Sequence, residues 1–257
     1  MNYENRFVLF LDILGFKKIV EATYDKDEDI PEEIERLYTA LKTITKSNSR
    51  VSGSKRITQF SDSIVVSFND VEHHEFTYLL DDISYMLFLL VFEGIICRGA
   101  VAYGKFYHDD KYLFGPALVE AYETESKAAT YPRVIIDKSV VNIFKEKRKA
   151  TPKLRSFKKA YLDNYLLEDF DDKMFVDYFF NPITFADSYD NYLNYLEKLR
   201  EVISSGLVKA RSADIKVKYG WMKQKFNSAI LKVKEQKKLK TENDEQIIRL
   251  KKIRPFA

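Results

Sequence analysis

An unbroken apolar run, Phe7-Val8-Leu9-Phe10-Leu11, stops abruptly at Asp12. Apolar residues at successive rather than alternate positions describe a strand covered on both faces, so residues 6–14 are expected to lie centrally in a sheet. A second acid, Asp62, falls within Gln59-Phe60-Ser61-Asp62-Ser63, between the strand-like stretches 55–60 and 63–68. Their spacing predicts a hairpin with Ser61-Asp62 at its turn.

The surrounding elements follow from periodicity and punctuation. Gly15 breaks the first strand, and 16–23 reads as a helix. Pro31 followed by Glu32, Glu33 and Glu35 opens a second helix, where proline and acids suit the first turn, with Ile34, Leu37, Leu41 and Ile44 on its apolar face. Residues 47–54 read as a loop. Asn69 or Asp70 is placed to cap a long helix reaching Phe92, Gly94 ends it, and 95–103 form a strand before Gly104. His108-Asp109-Asp110 makes a turn, 111–114 return, and Gly115-Pro116 leads into a helix to about Thr130. A strand at 133–137 and a helix at 140–148 follow.

Strand, helices, hairpin, helix, strand is the split βαβ order of ferredoxin-like and palm domains, an α/β (α+β) fold with a βαββαβ core. There the first strand runs antiparallel to the third, so Asp12 and Asp62 are expected to become neighbours. Residues 1–148 form this domain, and 149–257 an extension. Within the extension 149–159 are basic and loop-like, 161–180 resemble an edge hairpin, and helices cover 189–204 and 213–236. No internal repeat is evident. From Lys232 the chain is mostly charged, read as a solvated helix or frayed tail.

Composition narrows the class. With 257 residues, 46% of them hydrophobic, the chain can bury a sizeable core. Its 42 Lys+Arg against 39 Asp+Glu leave a net charge of +3, too little to argue for a nucleic-acid partner. The single cysteine, Cys97, reads as a buried small apolar residue and fits a reducing compartment. Glu4 and Asp12 interrupt the apolar N-terminus, so it is not a secretory leader, and 86–92 are too short to span a bilayer. A soluble cytoplasmic protein without nucleic-acid or membrane partners is expected.

Chemistry centres on the two acids. Mg²⁺ and Mn²⁺ prefer hard oxygen ligands, and one or two carboxylates commonly hold such an ion while substrate phosphates and water complete its shell. Asp12 and Asp62 suit that task, with the Ile13 carbonyl as a further ligand. Each acid alone also suits a turn; both at one sheet edge favour a two-ion phosphoryl-transfer site. Backbone amides at Gly15 and Phe16 are placed to orient phosphate oxygens. Arg98, on a central strand, must meet an acid, a phosphate or a base. Thr58 and Tyr112 offer hydroxyls to a base but are ordinary strand residues as well. His73-His74 read as surface residues and His108-Asp109-Asp110 as a turn rather than a cation site. No Ser-His-Asp, Cys-His, zinc or glycine-rich phosphate motif is present.

At these residues the chain resembles the class III nucleotidyl cyclases. The likeness rests on Phe10-Leu11-Asp12-Ile13-Leu14-Gly15-Phe16, Phe60-Ser61-Asp62-Ser63-Ile64-Val65-Val66, and Arg98 to Gly104 followed by Phe114-Gly115-Pro116-Ala117. It implies two metal ions on Asp12 and Asp62, cyclisation of a nucleoside triphosphate with release of pyrophosphate, and a homodimer, because the family builds its sites between two domains. Thr58 stands where purine cyclases carry a base-reading lysine, Tyr112 where they carry its partner, and Val119 and Glu123 where they place a transition-state asparagine and arginine. Arg98, Lys17 and Arg133 are the candidates to replace that missing donor pair.

The nearer resemblance is to the bacterial Pycsar pyrimidine cyclases, through Phe-Ser-Asp-Ser at 60–63, Cys-Arg-Gly at 97–99, Gly-Pro-Ala-Leu-Val-Glu-Ala-Tyr-Glu at 115–123, Tyr-Pro-Arg at 131–133 and Lys218-Tyr219-Gly220-Trp221. It implies cyclic UMP or cyclic CMP made from UTP or CTP as an antiphage signal to a downstream effector. A purine cyclase with an atypical base reader and a catalytically silent nucleotide-binding module are the alternatives.

Overall fold

The computed structural model describes residues 2–21, 32–46, 54–69, 75–146, 159, 161–180, 186, 188–235 and 244–257. Strand β1 (Glu4–Ile13) is followed by helices α1 (Phe16–Glu21) and α2 (Glu32–Lys46), then by the hairpin of β2 (Arg56–Phe60) and β3 (Ser63–Asn69). Helix α3 (Glu75–Phe92) leads to β4 (Cys97–His108), a short β5 (Leu113–Phe114), α4 (Pro116–Ala128), β6 (Val134–Ile136) and α5 (Lys138–Glu146). The chain closes with β7 (Leu166–Glu168), β8 (Met174–Val176), α6 (Tyr189–Lys209), α7 (Ala213–Glu235) and α8 (Asp244–Lys252).

Eight strands make one sheet ordered β2-β3-β1-β4-β6-β8-β7, with β5 paired to β4 off that path. β1 lies antiparallel to both β3 and β4, as the apolar run requires of a central strand. The pleat divides its side chains. Phe7, Leu9, Leu11 and Ile13 enter the larger core with α3 and α6, while Val8 and Phe10 meet Ala117 and Ala121 of α4 on the other face. Asp12 continues the second series and therefore stands on the α4 side. Close strand approach explains Gly99, where a Cβ would lie 2.4 Å from the Phe10 carbonyl oxygen.

Helix α3 buries Leu79, Leu80, Ile83, Leu87 and Leu90, each contributing about 1.5–3 kcal/mol on removal from water. Phe88 stacks on Tyr195 of α6 with centroids 4.9 Å apart, joining the C-terminal helices to the first helical layer. Among the described residues no helix is long and apolar enough to cross a membrane.

Several boundaries depart from expectation. β4 does not stop before Gly104 but continues to His108, because pairing with β1 persists to Phe106 and pairing with β5 begins at Tyr107. Residues 161–165 are helical, and the hairpin occupies only β7 and β8, which extend the main sheet through β6. The end of the chain is a docked helix rather than a frayed tail. Arg249 of α8 contacts Glu197 at 2.9 Å and Asp190 at 3.4 Å, and Ile253 is buried. The expected caps at Asp70, the Pro31 start, the loop at 47–53, the stretch 149–158 and His73-His74 lie outside the described residues.

Candidate active site

The β1–β3 register pairs Asp12 with Ser63, and the Ile13 amide donates to the Asp62 carbonyl at 2.9 Å. The two acids separated by half a hundred residues thus occupy one end of the sheet, as the split βαβ reading requires. Ser61 takes a left-handed backbone (φ 53) in the connecting turn, a conformation short polar residues tolerate better than bulky ones. Gly15, with φ 81, turns the chain from β1 into α1.

β4 brings Arg98 directly opposite Asp12. The Arg98 Nε–H donates to Asp12 Oδ2 at 3.0 Å, and Nη1 reaches the Ala129 carbonyl at 3.4 Å. Helix α4 supplies a third acid that the sequence reading missed. Glu125 Oε1 lies 2.7 Å from the same Arg98 nitrogen, with its side chain 3% exposed. The Arg98 Nε–H is aimed at Asp12, so Oε1 is in ionic contact but has no aligned hydrogen bond; Oε2 accepts from the Ser126 hydroxyl at 3.1 Å. Burial, opposed by Arg98 and reinforced by Asp12 and Asp62, raises the Glu125 carboxyl above its ordinary value. A signal was available: Ala117, Ala121 and Glu125 recur every fourth residue along α4, placing an acid on its buried stripe. Beside them, burial pushes the Cys97 thiol up to about 12, which makes it an inert core residue.

The other candidate residues separate. Phe16 packs its ring toward the larger core, leaving only its backbone near the β1 terminus. Tyr112 is exposed in the β4–β5 turn, where its amide donates to Asp109 Oδ1 at 2.7 Å. The acids at 109–110 thus belong to a turn, whereas His108 is buried. Its Nε2 lies 2.8 Å from Thr58 Oγ1 and its Nδ1 2.8 Å from Ser67 Oγ. Arg6 Nε donates to that serine oxygen at 2.9 Å. Burial and Arg6 hold His108 down at about 4.

One of the proposed replacement donors fails. Arg133 is fully buried, bonded to Asp169 at 2.5 Å and to Asp171, and cannot face a substrate. Lys17 is solvent-exposed on α1, 3.6 Å from Glu21. On α4, Val119 points to solvent and Glu123 accepts from Lys127 at 2.8 Å, so neither supplies a donor. Arg98 alone among the three candidates sits beside the acids.

The donor set suits a hard divalent cation in kind: two aspartates at one sheet end, with a buried acceptor oxygen of Glu125 lacking a hydrogen bond close by. Among the described residues no three His, Cys, Asp or Glu side chains converge closely enough to hold a metal ion unaided.

No family model matches this chain. A search of curated proteins likewise finds no match. Solved structures with a related shape include a class III adenylyl cyclase-like ATP-binding protein from Pseudomonas aeruginosa (14% identity, 62% of this chain and 40% of that one, TM-score 0.37). They also include a bacterial light-regulated adenylyl cyclase (15% identity, 79% of this chain and all of that one, TM-score 0.39). The chain spans less than half of the first of these.

Proposed function

We propose that the protein is a nucleotidyl cyclase that converts a pyrimidine nucleoside triphosphate, UTP or CTP, to its 3′,5′-cyclic monophosphate and pyrophosphate. The observation that carries this reading is the convergence of Asp12, Asp62 and Arg98 from three adjacent strands at one end of the sheet. It joins the motif likeness to class III and Pycsar cyclases at those same residues.

In this reading Asp12 and Asp62, with the Ile13 carbonyl, hold Mg²⁺ or Mn²⁺ at the reaction centre. When bound, the ions lower the charge of the triphosphate and activate the ribose 3′-hydroxyl toward the α-phosphate. The chain does the rest. Backbone amides at Gly15 and Phe16 orient phosphate oxygens. Arg98, released from Asp12, donates to the phosphates, while Glu125 keeps its guanidinium at the site. Thr58, hydrogen-bonded to His108, offers its hydroxyl to a base, and Tyr112 presents its own from the exposed β4–β5 turn.

Exposed apolar side chains on and around α4, among them Phe60, Tyr112, Phe114, Val119 and Tyr122, support a homodimer across this face. The antiphage role and an effector that reads the cyclic product rest on the motif likeness. The rival reading is a silent nucleotide-binding module, favoured by the Arg98–Asp12 bond and by the lack of donors at Val119 and Glu123.

Incubating the purified protein with Mn²⁺ and each ribonucleoside triphosphate separates these readings. Cyclic product from UTP or CTP is expected. Product from ATP or GTP alone would replace the pyrimidine assignment with a purine one, and none from any of the four would leave the silent module.

A further inference from the structure

On the side of the sheet away from α4, the ends of β1, α3 and β4 meet α6 and α7 around a cavity of about 460 Å³. Its charged lining is one-sided. Lys18, Arg36, Lys198, Lys209 and Lys218 face only two carboxylates, Glu93 and Glu201. Glu201 contacts Lys198 at 3.2 Å, while Lys218 leans on Asp214 at 2.8 Å and Arg36 on Glu32 at 3.9 Å, both acids outside the cavity lining. Lys18 and Lys209 are exposed and form no ion pair among the described residues.

Cations gathered in a cleft repel one another and concentrate anions there. The volume falls within the roughly 300–1,000 Å³ of small-molecule sites. The remaining wall is apolar, with Leu14, Ile95, Ile96, Pro132 and Tyr219. A group carrying more than one negative charge matches Lys18 and Lys209 together, which a single carboxylate would not, and a flat or aliphatic body matches that wall.

We propose that this cavity binds a phosphate-bearing anion of the polyphosphate or nucleotide class, at a site that adjoins the Asp12 cluster through Gly15 but does not include its acids. The two sites are coupled by a short path. Leu14 and Gly15 at the rim follow Asp12 by two and three residues, and the Leu14 amide bonds the Ile96 carbonyl at 2.8 Å, two residues before Arg98. An anion that draws α1 and the start of α7 together bears directly on the positions of Asp12 and Arg98, so the site is regulatory.

Equilibrium dialysis of the full chain against labelled pyrophosphate in EDTA tests this apart from the proposed activity, because chelation removes divalent ions from the acid cluster. Saturable binding is expected that Lys18→Glu with Lys209→Glu weakens at least about tenfold and that Asp12→Asn leaves unchanged. Circular dichroism checks that the variants are folded, with Lys18→Gln and Lys209→Gln replacing the reversals if they are not. Competition by a nucleoside triphosphate stronger than by pyrophosphate identifies a nucleotide; equal competition identifies the free polyphosphate. Absence of binding, binding indifferent to the lysine changes, or binding lost in Asp12→Asn would overturn the proposal.

Discussion

Two arginines on neighbouring strands each meet two carboxylates, and they are built for different ends. Arg133 immediately precedes β6 and Arg98 is the second residue of β4; the Gly99 amide bonds the Arg133 carbonyl at 3.0 Å. Arg133 is sealed at 0% exposure, and its partner Asp169 is further bonded by Trp221 Nε1 at 2.8 Å and Lys225 Nζ at 2.7 Å. That cluster pins α7 to the sheet. Arg98 retains 25% exposure, bonds Asp12 through its Nε–H, and meets Glu125 in an ionic contact that leaves a buried Glu125 oxygen without a hydrogen bond. Both clusters leave one buried atom without a hydrogen bond, Nε of Arg133 and Oε1 of Glu125, so what separates them is solvent access: a sealed ion pair is a structural device, and one at a solvent-reached sheet end is open to a ligand.

Removing one partner from each cluster sharpens the contrast. Arg133→Ala leaves buried Asp169 with Lys225 and Trp221 alone and empties the space of a fully buried side chain, and is expected to cost about 3 kcal/mol, read as a lower urea midpoint. An unchanged midpoint would dissolve the structural half of the comparison. Asp62→Asn is expected to give no detectable cyclic product with the urea midpoint preserved; an active variant would remove Asp62 from the site. Glu125→Gln lies between. Turnover should fall about 10–100-fold, as for residues that orient a liganding group, with stability equal or higher because a buried charge is relieved. A loss as large as that of Arg133→Ala would instead make the Arg98 cluster structural.

The smallest effect concerns the buried histidine that holds Thr58. His108 titrates near 6.5 when unfolded and at about 4 in the fold. The unfolded chain therefore takes up its proton first as pH falls, and the stability this contributes, full above 6.5, is lost toward pH 4. Urea midpoints measured across that window should decline, and His108→Gln should flatten the decline. An equal slope in the variant would show that other groups carry it.

Much of the fold was legible because it depends on local pattern. Phe7 to Leu11 announced a doubly covered strand, the breaks at Gly15 and Gly94 were visible, and the hairpin around Ser61-Asp62 followed from its flanking strands. The candidate site was legible in part. Asp12, Asp62 and Arg98 were identified, yet their meeting depends on strand register. Glu125 was overlooked because it lies beyond the motif at 115–123, and Arg133 was wrongly offered to a substrate because its acids, Asp169 and Asp171, sit in a remote hairpin. The docking of α8 was equally hidden, since Arg249 has its partners on α6.

Residue order alone thus settled most strands and helices of the first half of the chain, and that Asp12 and Asp62 stand at a strand end and a hairpin turn, because periodicity and turn chemistry act over a few residues. Which charges face water, which are sealed, and which oxygen is left without a donor were settled by folding. Pairing and burial join positions far apart in the chain, and no short stretch encodes the solvent access that separates Arg98 from Arg133.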